Sequence, residues 1–167
     1  FVKIVDNPMK AEKDPCVFIP ALYPDVTIIH VHQADKFGNA KIYGPIVNDV
    51  ALAAAARKVI ITAEEIVTPN AFRYDNRGVV IPFVYVDAVV ELPYGALIGS
   101  MPGLYYWPRR LWEKAMRYYT YKEGAMDEFY DVFIKGCKDQ FDIIDKILGG
   151  SKWLANAKRL TKAEEYE

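Results

Sequence analysis

Short apolar runs rich in β-branched residues alternate with turns in the first part of the chain. Residues 26–32 (VTIIHVH) form such a run after a Pro-Asp pair, a pattern typical of a buried strand. Residues 48–58 begin with a capping asparagine and are rich in alanine, which predicts a helix packed closely on a sheet. Residues 58–67 predict the next buried strand. Strand, helix and strand in this order indicate a right-handed βαβ unit in a parallel sheet.

The pattern changes from strands to helices near residue 108. Residues 79–96 predict one or two more strands, and an aromatic loop broken by proline and glycine follows them. Helical periodicity then predicts helices at about 109–121, 126–135 and 138–148, and a last one after the Gly149-Gly150 pair.

These elements predict the α/β fold class, with an open, mostly parallel sheet, flanking helices and a helical C-terminal part. The length of 167 residues suits one domain with a substantial core. We expect a single domain over residues 1–167, composed of an extended lead-in (1–15), an α/β core (16–107) and a helical tail (108–167).

Composition narrows the classes of partner. With 21 basic and 22 acidic residues the net charge is −1, so the electrostatic signature of a nucleic-acid-binding protein is missing. No apolar run approaches the roughly 18 residues that cross a bilayer, and we expect neither a nucleic-acid nor a membrane partner. Cys16 and Cys137 lie far apart, outside any C-x-x-C motif. Buried free thiols in a cytoplasmic protein are the favoured interpretation, with a disulfide as the alternative.

The only two histidines, His30 and His32, lie two residues apart on a predicted strand, and Asp35 follows them. Side chains two apart on a strand share a face, and imidazole with carboxylate is a ligand set that suits zinc. However, the chain offers no third histidine and no cysteine pair. We therefore expect no metal, and interpret these residues as structural or as facing a ligand crevice at the end of the strand.

Two further strand ends carry candidate residues. Glu64 and Glu65 are expected to end the second strand, where a carboxylate could lie at the same crevice edge as His32; a cap or ion pair is the alternative. At Tyr94 and Gly95 the backbone could approach a ligand closely and offer an N–H to an anion, or form an ordinary turn.

Other catalytic motifs are missing, and one basic segment has two possible interpretations. The sequence has no G-x-S-x-G, no G-x-G-x-x-G and no P-loop. In residues 104–110 (LYYWPRR), Arg109 or Arg110 could bind an acidic group of a ligand beside a wall of aromatic side chains. The alternative is that this segment forms part of the core or of an interface.

Three segments together carry a family resemblance: ALYPDVTIIHVHQADKFGNAKIYG, AAAARKVIITAEEIV and IPFVYVDAVVELPYGALIGSMP. In order and spacing they resemble the α (A) subunit of family I coenzyme A-transferases, glutaconate CoA-transferase type, from about residue 16 to 108 and loosely through the helical tail. The resemblance implies the three-layer α/β/α fold of CoA-transferases, similar to NagB and RpiA. It also implies a hetero-oligomeric enzyme whose A and B subunits pair across the active site.

The resemblance further implies a reaction. Such enzymes move coenzyme A between carboxylic acids by a ping-pong route, in which a glutamate attacks the acyl-CoA thioester and then carries the coenzyme as a glutamyl thioester. Coenzyme A is accordingly a substrate, and no permanently bound cofactor is expected. The acyl group would be dicarboxylic, such as glutaconate, or small.

Two departures from the family pattern define what this chain is expected to contribute. The family's nucleophile lies in a Ser-Glu-Asn-Gly-type motif of the B subunit, and no Ser-Glu pair occurs here, so no catalytic residue is assigned to this chain. The A subunit of the family also has an N-terminal half with a glycine-rich loop, which has no counterpart here. We therefore expect the C-terminal portion of an A subunit, inactive without that half and the B subunit.

The loop after the first strand matches the family's loop, so its residues are expected to shape the active-site crevice or a subunit contact: His30, His32, Gln33, Asp35, Gly38 and Asn39. Glu64, Tyr94 and Gly95 are further candidates. Two alternatives stay open at this point: a hydrolase of the same fold that opens a ring in a CoA thioester during steroid breakdown, and a non-catalytic assembly module.

Overall fold

The computed structural model describes residues 2–97, 99–106, 113, 117–159 and 161. Its strands are β1 (Lys3–Asp6), β2 (Pro15–Phe18), β3 (Thr27–Asp35), β4 (Ala40–Lys41), β5 (Val59–Val67), β6 (Val79–Ile81) and β7 (Ala88–Glu91). Its helices are α1 (Asp49–Ala55), α2 (Pro69–Tyr74), α3 (Ala125–Phe129), α4 (Gln140–Ile143) and α5 (Gly150–Arg159). A 3₁₀ turn covers Phe83–Tyr85, and α3 and α4 continue as π-helical turns over Tyr130–Lys135 and Ile144–Leu148.

Five strands form an open sheet in the order β6-β4-β3-β5-β7. β5 lies between β3 and β7 and is parallel to both, whereas β4 is antiparallel to its neighbours β3 and β6. The pairing of β3 with β5 runs from Thr27 opposite Val59 to Asp35 opposite Val67, and α1 connects the two strands. The predicted α/β class with an open sheet and flanking helices is confirmed; the sheet is mixed, because β3, β5 and β7 are parallel while β4 is antiparallel to both of its neighbours.

The two faces of the central strands are covered by different elements. Because side chains alternate along a strand, Val31 and Ile61 point to one face, where they pack in a core that includes Ala53 of α1. His30 and Glu64 point to the other face. That face meets a second buried cluster, formed by Met101, Tyr105, Ile144, Trp153 and Ala157. The polar candidates therefore lie between the sheet and the helical tail.

Several local predictions need correction. Asn48 makes no capping hydrogen bond, because its backbone (φ −115°, ψ 1°) is not the extended conformation of a capping residue; the carboxylate of Asp49 instead accepts the Val47 N–H. The strand predicted at residues 58–67 is β5 (Val59–Val67), and Glu64 lies within it rather than at its end. Within the extended lead-in expected at residues 1–15, β1 pairs with β2 in an antiparallel ribbon.

Helices cover residues 125–135, 140–148 and 150–159, close to the predicted spans. Of the helix expected at 109–121, residues 117–121 are helical, while Arg109 and Arg110 lie outside the described residues. Cys16 and Cys137 are free thiols, but both are half-buried rather than buried. In the described part of the chain, no helix has the length and apolarity of a membrane span.

Candidate functional site

Glu64 is the centre of a hydrogen-bonded cluster on the face of the sheet that meets the helical tail. Its Oε1 accepts a hydrogen bond from His30 Nε2 at 2.8 Å and another from the Tyr105 hydroxyl. Its Oε2 accepts the backbone N–H of Tyr94 at 2.8 Å. The side chain of Glu64 is only 8% exposed, so these three donors replace the water that a surface carboxylate would have.

The cluster fixes the charge of Glu64. Burial by itself would raise the pKa of the carboxyl, but the hydrogen bonds from His30, Tyr105 and Tyr94 outweigh burial and hold the pKa below its ordinary value. For Tyr105, burial and the contact with Glu64 both raise the pKa of the phenol. At neutral pH, Glu64 is therefore an anion that accepts hydrogen bonds, and Tyr105 is a neutral donor.

The two histidines have separate partners. Besides its contact with Glu64, His30 has its Nδ1 2.9 Å from the hydroxyl of Thr62, the residue opposite it on β5. His32 accepts the Tyr43 N–H at Nδ1 (3.0 Å) and therefore donates from Nε2 to the carbonyl of Pro102 (2.8 Å). Burial lowers the pKa of the His32 imidazole, which favours this neutral tautomer.

The polar loop after β3 is a tightly bonded turn. Oδ1 of Asp35 accepts the backbone N–H groups of Phe37, Gly38 and Asn39, and Oδ2 accepts the amide of the Asn39 side chain. Gly38 adopts φ +105°, and a Cβ there would lie 2.7 Å from Cβ of Val86. Asp35, Gly38 and Asn39 therefore shape the link from β3 to β4, and the carboxylate has no oxygen left without a donor.

Tyr94 and Gly95 form a strained turn against the Glu64 cluster. Tyr94 has φ +61°, a left-handed conformation that costs a residue with a Cβ about 1 kcal/mol or more. A Cβ on Gly95 would lie 2.7 Å from Cε1 of His30 and 2.9 Å from the Leu92 carbonyl oxygen. The N–H of Tyr94 donates to the Glu64 carboxylate and that of Gly95 to the Leu92 carbonyl, so both groups are bonded to acceptors of the chain itself.

Two cavities separate the predicted residues into groups. The Tyr94 cavity, about 330 Å³, is lined by His32, Gln33, Glu64, Tyr94, Tyr105 and Lys158, among others. The Phe83 cavity, about 590 Å³, is lined by Asp35, Phe37, Asn39, Phe72, Arg73 and Phe83, among others. His30, Gly38 and Gly95 are not among the residues that line these two cavities.

Sequence reasoning misses three residues that contribute to the Tyr94 cavity. Tyr43 holds His32 through its N–H and donates its hydroxyl to the Gln33 side chain at 2.9 Å. Lys158, near the end of α5, lies with Nζ 5.4 Å from the centre of the Tyr94 ring. Tyr105 is expected from the sequence only as part of a general aromatic wall. For Thr62 the sequence does contain a usable pattern: T-x-E on β5 lies opposite H-x-H on β3, so Thr62 can be expected beside His30.

The ring nitrogens that a metal would need are already engaged in protein hydrogen bonds. Three of the four form hydrogen bonds with Glu64, Tyr43 and Pro102, and the fourth faces Thr62. Within the described ranges, no three residues among His, Cys, Asp and Glu are grouped closely enough to hold a metal ion.

Residues 9–92 match the family model of coenzyme A transferases, and the chain belongs to this family. The matched segment contains β3, β4, β5, β6 and β7, and with them Glu64, His30 and His32.

Individual relatives place the chain among A subunits. It is 33% identical to the A subunit of glutaconate CoA-transferase from Acidaminococcus fermentans, over 93% of this chain and 48% of that protein. The crystal structure of that enzyme superposes with a TM-score of 0.82, over the same shares of the two chains. The chain is also 28% identical to the A subunit of 3-oxoadipate CoA-transferase from Pseudomonas knackmussii, over 89% of this chain and 51% of that protein.

A third relative, an uncharacterised protein of Archaeoglobus fulgidus, is 39% identical over 98% of this chain and 36% of that protein. The chain thus spans about a third to a half of the length of the relatives that it matches. The activity of the whole enzymes is therefore a proposal for this chain.

Proposed function

We propose that this chain is the C-terminal portion of the A subunit of a CoA-transferase, and that residues 1–167 form one domain of it. The assembled enzyme moves coenzyme A from an acyl-CoA donor to a carboxylic acid. The observation that carries this proposal is the 33% identity to the A subunit of glutaconate CoA-transferase over 93% of the chain, with a TM-score of 0.82.

A dicarboxylic or small acyl group is proposed as the substrate class. Glutaconate and 3-oxoadipate, the acids in the names of the two A-subunit relatives, are both dicarboxylic. The partners in this proposal are the N-terminal half of the A subunit, together with a B subunit, in a hetero-oligomer. Coenzyme A is a substrate, with no permanently bound cofactor. A cytoplasmic location is proposed as well, because free thiols suit a reducing compartment.

The chemistry of Glu64 supports a nucleophile on the partner chain. A ping-pong transfer needs a carboxylate with an oxygen free to attack the thioester carbonyl. Both oxygens of Glu64 are tied up by protein donors, and its pKa lies below the ordinary value, so it is stabilised as a bound anion. We assign Glu64 a positioning role: it holds the Tyr94–Gly95 turn and His30, and so shapes the wall of the Tyr94 cavity.

The remaining site residues are proposed to build the crevice rather than to react. His32 joins β3 to the segment around Pro102, and Gln33 is held between Tyr43 and Glu65. The Asp35–Asn39 turn, which includes Gly38, connects β3 to β4. None of these groups needs a metal to perform this role.

The test is reconstitution. The chain is co-expressed with the N-terminal half of the A subunit, together with the B subunit, and the complex is given an acyl-CoA with acetate, glutaconate or 3-oxoadipate as acceptor, and with a long-chain monocarboxylic acid for comparison. We expect CoA exchange only from the full complex, fastest with a dicarboxylic or small acid. A second reaction, with a ring-bearing CoA thioester and water, tests the alternative: ring opening without CoA exchange would identify a hydrolase of the same fold. A complex without turnover in either reaction would identify an assembly module.

A further inference from the structure

The Phe83 cavity lies apart from the Glu64 cluster, at the end of β3. Three aromatic rings contribute to its apolar lining: Phe72 is buried, while Phe37 and Phe83 are 56% and 54% exposed. Its volume of about 590 Å³ falls within the range of roughly 300–1,000 Å³ of small-molecule sites. Rings left open to solvent around a cavity offer faces on which a planar ligand can stack.

The polar groups at this cavity favour an anion. Arg73, in the last turn of α2, is exposed, and among the described residues it forms no ion pair. Lys36 adds a second cation, with Nζ 5.1 Å from the centre of the Phe37 ring. The one carboxylate of the lining, Asp35, is already satisfied by four donors, so it does not need a cationic ligand.

The neighbouring cations are neutralised, which singles out Arg73. Lys41 is buried, donates to the Asp75 carbonyl at 2.7 Å and lies 3.7 Å from the Asp75 carboxylate. Arg77 pairs with the same carboxylate at 2.8 Å. A guanidinium that is not ion-paired, beside stacking rings and the Asn39 and Asn76 side chains, has the chemistry to bind a phosphate attached to a planar heterocycle.

The position of the cavity suits one end of a long ligand. Gln33 lines the Tyr94 cavity and Asp35 lines the Phe83 cavity. The two residues are separated by two positions on β3, which corresponds to about 7 Å. A molecule with its planar, phosphorylated end beside Arg73 can therefore extend an arm toward the Tyr94 cavity.

We propose that the Phe83 cavity binds the phosphorylated adenosine end of coenzyme A, with the base stacked on Phe83 or Phe37 and a phosphate held by Arg73. This inference rests on the proposed function, because it takes coenzyme A to be the substrate. It adds a binding site on this chain and a residue, Arg73, that discriminates phosphorylated from unphosphorylated adenosine.

The experiment measures binding without turnover. Equilibrium dialysis of the reconstituted complex with labelled adenosine 3′,5′-bisphosphate gives the dissociation constant, with adenosine and inorganic phosphate as separate probes. Arg73→Ala should weaken binding of the bisphosphate about tenfold or more, as the loss of a charge-assisted hydrogen bond does, and leave adenosine binding unchanged. Phe83→Ala or Phe37→Ala, whichever ring carries the base, should weaken both adenosine-containing probes about fivefold or more, and no effect of either variant would contradict the stacking.

Arg77→Ala is the matched control, because Arg77 is four residues further along and is paired with Asp75. It should change binding less than twofold. The inference is overturned if the complex does not bind the bisphosphate, as when another segment of the subunit covers the cavity, or if the Arg73 and Arg77 variants bind equally well. Bisphosphate binding without CoA exchange contradicts only the proposed function; exchange without Arg73-dependent binding contradicts only this inference.

Discussion

His30 on β3 and Glu64 on β5 form a hydrogen bond of 2.8 Å across two parallel strands, between Nε2 and Oε1. The same Glu64 holds the N–H of Tyr94 in the turn that follows β7. Three neighbouring strands of the sheet are thus joined, directly or through the turn that follows, by one buried carboxylate. The walls of the Tyr94 cavity depend on this arrangement.

Removing the Glu64 carboxylate should destabilise the fold strongly. Glu64→Ala leaves three donors without their acceptor in a buried place, and we expect the free energy of unfolding to fall by about 2–4 kcal/mol in urea titrations. The neighbouring Glu65 is exposed and bonded to Gln33, so Glu65→Ala should cost about 0.5 kcal/mol or less. Equal losses for the two variants would contradict the positioning role.

A methyl group at Gly95 should disturb His30. In Gly95→Ala the Cβ would lie 2.7 Å from His30 Cε1 and 2.9 Å from a backbone oxygen, so we expect a loss of about 1–3 kcal/mol. Gly103→Ala is the comparison: its φ is +80°, but its Cβ meets no atom within 4 Å, so only the conformational cost of about 1 kcal/mol remains. A smaller loss at Gly95 than at Gly103 in the same titration would show that the contact is not tight.

The Asp35 turn should depend on its carboxylate. Asp35→Ala removes the acceptor of four hydrogen bonds at a side chain that is 1% exposed, and should lower the free energy of unfolding by about 2–3 kcal/mol. Asp25 is 85% exposed and 3.5 Å from Arg57, so Asp25→Ala should cost about 0.5 kcal/mol or less. Thermal or urea unfolding of both variants, side by side, checks this; full stability of the Asp35 variant would remove the structural role.

His32 should make stability depend on pH in a defined window. Because burial lowers its folded-state pKa below the ordinary 6.5, the unfolded chain binds more protons between that lowered pKa and 6.5. Stability contributed by neutral His32 is thus complete above about pH 6.5 and declines as the pH falls through the window. Melting temperatures from about pH 7.5 to 5.5 should decline less steeply for His32→Gln than for the unsubstituted chain.

Glu64 stabilises the fold over a different pH range, so its effect on stability can be separated from that of His32. With a folded-state pKa below the ordinary 4.5, its stabilisation is present above about pH 4.5 and is lost only as the pH falls further. An identical slope for the unsubstituted chain and His32→Gln between about pH 7.5 and 5.5 would show that His32 is not held neutral by its surroundings.

The strands and the parallel pairing are readable from the sequence because β3 and β5 are long, apolar and separated by an alanine-rich helix. The periodicity of H-x-H also places His30 and His32 on one face. What the sequence does not provide is the surroundings of a side chain within a strand. Glu64 is expected at the strand's end, but it lies three residues before the end of β5. Its role follows from Tyr105, 41 residues away, and no local pattern encodes that contact.

The Asp35 loop shows the opposite case. Its residues carry the family resemblance, yet their side chains mostly satisfy one another and the local backbone. A motif that marks a family can therefore be required for a turn rather than for contact with substrate. No sequence pattern identifies Arg73, because its position at the Phe83 cavity depends on α2 lying beside the rings at the end of β3.

The central claim is that the assembled enzyme containing this chain transfers coenzyme A between acids. The most direct measurement is the mass balance of the reconstituted complex with an acyl-CoA and ¹³C-labelled acetate, followed by mass spectrometry. We predict one labelled acetyl-CoA for each donor acid released, with no accumulation of free coenzyme A. Free coenzyme A and donor acid in equal amounts, without labelled acetyl-CoA, would contradict the claim.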